Sequence, residues 1–310
     1  MPFDPRLALT FVAVAEELNF TRAAERLGVA QPWVSEQLRR LEEQVGFRVL
    51  ARTSRKTELT VEGQEFLVHA RALANANEAA QRFVAETRSG RAETLRIGAI
   101  DFLIDYPERA ILIDRFVQAN PKVLLEIHNG GGEDIFRRLS QGELDVALAF
   151  TTSASPGLDV ETTVLSRRVA NLLVPAEDPL AELDEIPLEM MRGRTLVTSP
   201  GRSDPRAYQA THSVFTAVGA TFFPAPEANR TTIEHYARNK RLICLKWSAE
   251  PARRRPMGDM ICIPITGAPL WLSFAILRIR SPASRPVARF CALGKELARE
   301  NPAMLHPVTL

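Results

Sequence analysis

Residues 21–45, TRAAERLGVAQPWVSEQLRRLEEQV, decide how this chain is read. Thr21 can cap a short helix through Leu27, in which Ala23, Ala24 and Leu27 leave room for close helix packing. Gly28 ends that helix, and only Val29 and Ala30 precede Gln31-Pro32, where proline suits a first helical turn. Val34, Leu38, Leu41 and Val45 then recur at i, i+4, i+7 and i+11, the apolar stripe of a second helix. The spacing predicts two helices joined by a tight glycine turn. Off the stripe stand Gln31, Trp33, Ser35, Glu36 and Arg39, side chains able to hydrogen-bond base edges and phosphates from the first turns of a helix. A plain helical hairpin has the same spacing, so the flanking sequence must separate a reader of DNA from a packing unit.

Downstream, residues 46–59 read GFRVLARTSRKTEL. Arg48, Arg52, Arg55 and Lys56 fall there with no acid between Gly46 and Lys56, and Val49-Leu50 interleave with the basic and hydroxyl residues. A small β-wing lying along phosphates is expected. Upstream, residues 7–15, LALTFVAVA, follow Arg6 and end in a small-residue triplet that mimics a secretion signal. Asp4 cancels the basic start, however, and the period Leu7, Phe11, Val14, Leu18 runs past the supposed cut, which predicts an amphipathic helix. From about Val61 to Arg88 a longer helix is expected. Its Phe66, Ala70, Leu73, Asn77, Ala80 and Val84 alternate in steps of four and three, a heptad seam whose central Asn suits a dimer contact held in register by a polar pair. Packing of the same face on its own domain is the alternative. Ser89-Gly90 then break the helix at a domain boundary.

At 310 residues the chain is too long for one ordinary core. Hydrophobic residues at 45% and charged residues at 25% are ordinary for globular chains and exclude collagen, long disorder and a bare coiled coil. The longest apolar run, around Pro269 to Leu277, is far shorter than the roughly 18 residues of a membrane span. Cys244, Cys262 and Cys291 are widely spaced and odd in number, so neither a disulfide framework nor a CxxC site is expected, and a reducing cytoplasm fits. The net charge of +2 carries no polyanion signature; a basic run by itself is usually a solvated face, and that of the wing gains its meaning from the two helices before it.

Beyond the boundary, short aliphatic runs (residues 94–100, 123–128, 144–150, 169–174, 195–198 and 242–245) alternate with helix-like stretches. That alternation predicts βαβ units around a largely parallel sheet. Gly130-Gly131-Gly132 lacks the full dinucleotide and Walker patterns, and Glu133 and Asp134 occupy the next turn, so no phosphate cradle is expected. No GxSxG, HExxH or paired Cys/His spacing occurs, the five histidines are scattered, and neither catalytic residues, metal nor cofactor is expected.

Residues 20–67, from FTRAAERLGVAQPWVSEQLRRL through LTVEGQEFL, closely resemble the winged helix-turn-helix of the LysR-type transcriptional regulators. The Ala-Ala-x-x-Leu helix, the Gln-Pro-x-x-Ser recognition helix, the Arg-Arg-Leu-Glu segment, the wing ending Leu59-Thr60 and the placed Gly63 carry the likeness. Trp33 stands where the family usually has a small residue, and Val49-Leu50 replaces the common Leu-Phe. From Leu95 to about Glu300 the resemblance continues more weakly, through LRIGA, FVQANPKV and LxxGELDVAL.

The resemblance implies a multidomain α/β protein. Residues 1–60 form the winged helix-turn-helix, 61–90 a linker and dimerisation helix, and 91–310 an effector-binding domain similar to periplasmic binding proteins. Within it, subdomain I takes about 91–165 and 268–300, and subdomain II about 166–267. The implied function is ligand-modulated, sequence-specific transcriptional regulation in the cytoplasm rather than catalysis. The implied partners are double-stranded DNA carrying an interrupted inverted repeat, a small-molecule effector, further copies of the chain as dimer or tetramer, and RNA polymerase, with no membrane. Thr21, Gln31, Pro32, Trp33, Ser35, Glu36, Arg39, Arg52, Arg55 and Lys56 are the expected DNA contacts. Ligands of open α/β sheets lie beyond the carboxyl ends of strands. The expected effector contacts are therefore Ile100, Asp101, Phe102, Asn129, Gly130, Gly131, Thr198 and Ser199, with Arg202 and Arg230 as forks for a carboxylate. Asp101 stands where family members often present a hydroxyl; it caps the next helix or selects an amine or hydroxyl. Lys240-Arg241 replaces a Gly-rich turn.

Overall fold

The computed structural model describes residues 3–52, 57–89, 93–155, 157–249, 253–267 and 270–300. Two compact units emerge, residues 1–91 and, apart from Ser140–Gly142, residues 92–310.

The first unit opens with α1 (Pro5–Glu17), α2 (Phe20–Leu27) and α3 (Gln31–Val45). Leu7, Phe11 and Val14 of α1, Ala23 and Ala24 of α2, and Val34, Leu38 and Leu41 of α3 are buried in one core, as their periodicities predict. Asn19, rather than Thr21, caps α2: its side-chain oxygen accepts from the Thr21 and Arg22 N–H groups. Asn19 sits one position before the first helical residue, in extended backbone, where a cap must be; Thr21 is already inside the helix. Gly28, at φ 68°, closes α2 with its N–H bonded to carbonyls of the last turn.

The wing is β1 (Leu50–Arg52) paired antiparallel with β2 (Thr57–Leu59), Leu50 opposite Leu59 and Arg52 opposite Thr57. Glu42 of α3 ties the wing down, its carboxylate accepting from the Val49 and Leu50 N–H groups at 3.0 and 3.3 Å. The helix α4 (Val61–Ser89) follows, capped by the Thr60 hydroxyl, which accepts from the Gly63 N–H at 2.9 Å. Gly63 is obligatory there, because a Cβ would fall 2.0 Å from the Val49 carbonyl oxygen.

The second unit holds β3 (Thr94–Ile100), α5 (Pro107–Ala119), β4 (Leu124–Gly130), α6 (Gly132–Ser140), β5 (Val146–Phe150), β6 (Val160–Pro175), β7 (Ile186–Pro187), β8 (Thr195–Thr198), α7 (Pro205–Ala217), β9 (Thr221–Pro224), α8 (Arg230–Lys240), β10 (Ile243–Ser248), β11 (Arg255–Met257), β12 (Met260–Thr266), β13 (Trp271–Ile279) and α9 (Arg285–Glu300). The sheet runs β4-β3-β5-β13-β6-β10-β8-β9, with β12 beside β6 and β7, and β11 beside β12. It is mixed, not largely parallel. Parallel pairs occur at its two ends, β4-β3-β5 and β10-β8-β9, while β13 is antiparallel to β5 and β6, and β6 to β10 and β12.

The two ends form two lobes, and the 16-residue β6 serves both: Val160–Val169 pairs with β13 and Val169–Pro175 with β10 and β12. The expected strand at 169–174 is only the distal part of β6, and the apolar run around Pro269–Leu277 overlaps β13, six of whose residues in sequence are buried. Helix α9 returns to the first lobe, where Phe290 packs edge-on against Phe116 of α5 at 5.2 Å. Among the described residues no helix is long and apolar enough to cross a membrane.

Candidate functional site

In the first unit, α3 presents the face opposite its buried stripe. Gln31, Pro32, Trp33, Glu36 and Arg39 are exposed, Ser35 is half-buried, and Thr21 is exposed on α2. Trp33 leaves 46% of its surface open. That is a large apolar area without cover in this unit, on the turn from which a recognition helix contacts bases. The Gln31 amide donates to Ser35 Oγ at 2.9 Å, which aims both side chains along one line and leaves the amide oxygen free to accept. Arg39 is forked onto Glu36 at 2.7 and 2.9 Å and also bonds Glu43. These bonds raise the guanidinium above its ordinary value and hold the Glu36 carboxyl below its own. Arg39 thus carries its own counter-charges, with which any other anion would have to compete. The adjacent Arg40, not singled out from sequence, is exposed as well; its place just after Arg39 in the polar arc of α3 was the available signal. Arg55 and Lys56 lie outside the described residues, as does the side chain of Arg52.

The α4 seam divides. Phe66 packs against Phe3, Phe11 and Phe47 with ring centroids 5.6 to 6.0 Å apart, and Ala70 is fully buried in the same core. Both therefore serve their own unit. Leu73, Asn77, Ala80 and Val84 are exposed on it.

In the second unit, a cleft of about 750 Å³, counting its open mouth, lies at the carboxyl ends of β3, β4 and β8. Ligand pockets typically span about 300–1,000 Å³. Ile100, Asp101 and Phe102 after β3, Gly130 at the end of β4, Thr198 and Ser199 after β8, and Arg230 opening α8 all line it. The remaining expected contacts lie off the lining. Asn129 is exposed, accepting from Arg109 at 2.9 Å, and Arg202 is exposed. Gly131 serves contact between the lobes: a Cβ there would stand 2.8 Å from the Ser203 carbonyl oxygen. Asp101 makes no cap bond; the short helical turn it opens is preceded by Ile100 and has no side-chain cap. In sequence that position resembles a cap because it follows a strand, but the next regular helix begins only at Pro107.

Sequence reading missed the helical wall of the cleft. Ala207, Tyr208, Thr211 and His212 of α7 line it, as does Trp247 of β10. Their spacing of one and four residues, on a helix whose Asp204 N-cap lies two residues beyond the expected contact Arg202, was the signal that pointed there. Tyr208 stacks on the His212 ring at 3.7 Å with 10° between planes, and Phe222 meets that ring edge-on at 4.4 Å. Burial pushes the imidazole down from 6.5 to about 4, against the opposing pull of the Tyr208 carbonyl.

The lobes touch across the cleft. The Gly132 N–H donates to the Ser203 carbonyl at 2.7 Å, Ser153 to the Asp204 carboxylate at 2.5 Å, and Thr231 to Asp105 at 3.2 Å. Beneath, Arg168 of β6 bonds buried Glu108 at 2.5 Å and lies 5.0 Å over the Tyr106 ring.

Comparison with known proteins bears on both units. Residues 5–64 match the bacterial regulatory helix-turn-helix protein family of lysR type, and residues 88–298 match the LysR substrate binding domain. AlsR of Bacillus subtilis, an HTH-type transcriptional regulator, is 32% identical over 202 residues, covering 64% of this chain and 65% of its own. YnfL of Escherichia coli, an uncharacterised HTH-type transcriptional regulator, is 33% identical over 57% of this chain and 59% of its own. Each alignment thus spans less than two thirds of the relative. Among solved structures, HinK, a LysR family transcriptional regulator from Pseudomonas aeruginosa, superposes with a TM-score of 0.52 at 20% identity, covering 95% of this chain and 98% of that one. Full-length BenM gives 0.54 at 21% identity over 99% of this chain and 100% of its own. Those likenesses speak for the fold. Since the substrate-binding match alone exceeds half of the sequence and the helix-turn-helix match precedes it in the same chain, this protein belongs to the LysR family.

Proposed function

We propose that this chain is a sequence-specific, DNA-binding transcriptional regulator whose activity is set by a small molecule held between the lobes of its second unit. One observation carries the reading: a helix-turn-helix with an exposed polar recognition face shares its chain with a two-lobed domain that encloses an apolar, polar-tipped cleft. The domain limits are 1–60 for the reader, 61–90 for the linker helix and 91–310 for the effector domain, with subdomains at about 91–165 plus 268–300 and at about 166–267. Gln31, Trp33, Ser35 and Glu36 read bases in the major groove, and Thr21, Pro32, Arg39, Arg52, Arg55 and Lys56 position the backbone. Two copies joined through Leu73, Asn77, Ala80 and Val84, assembling further to a tetramer, match two half-sites of an interrupted inverted repeat. RNA polymerase is the downstream partner, in the cytoplasm.

The ligand acts through unequal affinity for two lobe arrangements, since nothing else can shift such an equilibrium. The test is anisotropy of a labelled duplex from the upstream region of the protein's own coding sequence, titrated at several salt concentrations. Affinity falling steeply with salt is expected, with about one unit less slope for each wing cation removed. Binding without salt dependence, or equal affinity for unrelated duplexes, overturns the reading.

A further inference from the structure

The hydrogen bonds around His212 fix which way the Thr198 hydroxyl points. His212 Nδ1 lies 2.7 Å from the Tyr208 carbonyl oxygen. A carbonyl only accepts, so Nδ1 carries the ring proton. The ring is buried and clamped between the Tyr208 face and the Phe222 edge, surroundings that keep it neutral. Its other nitrogen, Nε2, is therefore bare, and it bonds Thr198 Oγ1. The hydroxyl must be the donor. Having one proton and having spent it on His212, Thr198 keeps only lone pairs for anything in the cleft. A ligand carboxylate meets repulsion there; an N–H or O–H donor meets an acceptor.

Two charged groups on the lining remain uncommitted. Asp101 is exposed, and its carboxylate makes no hydrogen bond or ion pair among the described residues. Arg230 has Glu234 as an ionic neighbour only at 3.9 Å, and that carboxylate already accepts from Lys246 Nζ at 2.6 Å. The cleft thus offers an acceptor-only hydroxyl, an open carboxylate and an open guanidinium, beside the hydroxyls of Ser199, Ser203, Tyr208 and Thr211, between apolar walls that include Phe102, Trp247 and Leu272.

We infer that the ligand is an amino acid with an apolar side chain. Its carboxylate is taken by Arg230 and its ammonium by Thr198 and Asp101, and His212 is the positioning residue that sets the preference by holding the Thr198 proton. This inference rests on the cleft being the effector site. A desamino analogue leaves the Asp101 charge and the Thr198 lone pairs unanswered, and the loss of a hydrogen bond to a charged group corresponds to about tenfold or more in affinity.

The experiment is calorimetric titration of the full chain with L-phenylalanine and L-leucine against 3-phenylpropanoate and 4-methylpentanoate. In the wild type the amino acids bind at least about tenfold more tightly than the desamino acids. His212→Phe keeps an aromatic ring in the stack and frees the Thr198 proton, so the ratio falls because the desamino acids gain. Thr198→Val removes the acceptor, so the ratio falls because the amino acids lose. A merely structural role for the pair weakens both ligand classes alike and moves neither ratio. The inference is overturned if the wild type prefers the desamino acids, if both variants keep the wild-type ratio, or if neither amino acid binds at millimolar concentration. Salt-dependent duplex binding followed on the same samples separates the two failures: its loss refutes the regulator reading, while its retention without amino-acid binding refutes only the ligand class.

Discussion

Acidification is expected to weaken the second unit through His212, and the structure sets the size of the effect. Burial lowers the folded-state value of the imidazole from 6.5 to about 4. A histidine held neutral in this way stabilises the fold fully above its unfolded value, and that contribution disappears as pH falls from about 6.5 toward 4. The span corresponds to about 3 kcal/mol, of which about 2 kcal/mol is gone by pH 5. Urea denaturation at fixed ionic strength, followed by fluorescence at pH 7, 6, 5 and 4.5, measures it. Carboxylates titrate in the lower part of the same window, so the informative quantity is the difference between the wild type and His212→Phe. The variant is less stable at pH 7, where the Thr198 and Tyr208 bonds are lost, but it declines less steeply on acidification, and the two curves converge toward pH 4. Parallel curves for the two proteins refute a buried neutral imidazole, and with it the reasoning about the Thr198 proton.

The close approach of Gly63 to the Val49 carbonyl makes Gly63→Ala a severe change. A loss of about 3 kcal/mol, at the upper end of overpacking costs, is expected by denaturation, together with weakened duplex binding as the wing shifts. Arg241 closes α8 at φ 52°, a left-handed conformation that a side chain resists. Arg241→Gly should stabilise by about 1 kcal/mol, and a lower melting temperature refutes the strain argument. On α4, Leu73→Asp places a charge on the exposed part of the seam. Sedimentation should then show monomers with an intact fold, and unchanged oligomers that bind DNA normally would exclude that face as the contact.

The helix-turn-helix was legible because its information is local. The stripe Val34, Leu38, Leu41, the turn at Gly28 and the apolar face of α1 each lie within a few turns of chain, and burial follows the period directly. The cap of α2 was misjudged by two positions, since a hydroxyl in sequence does not say whether its backbone is extended or helical. The α4 seam was half legible: a heptad pattern marks an apolar face, but only the tertiary structure decides that Phe66 and Ala70 spend it on their own core while Leu73 to Val84 leave it open.

In the second unit the parallel ends of the sheet announced themselves as aliphatic runs between helices, and the strand ends Ile100–Phe102 and Thr198–Ser199 pointed to the cleft. The antiparallel centre did not. Whether β13 pairs with β5 and β6 depends on partners more than a hundred residues away, and a buried strand has no period to betray its direction. The cleft's polarity was equally hidden. Sequence supplies a threonine, a histidine and a tyrosine, each able to donate or accept. Only the folded arrangement, in which Nδ1–H donates to the Tyr208 carbonyl and Nε2 accepts from the hydroxyl, makes Thr198 an acceptor, because the direction of a hydrogen bond belongs to the network and not to the residue.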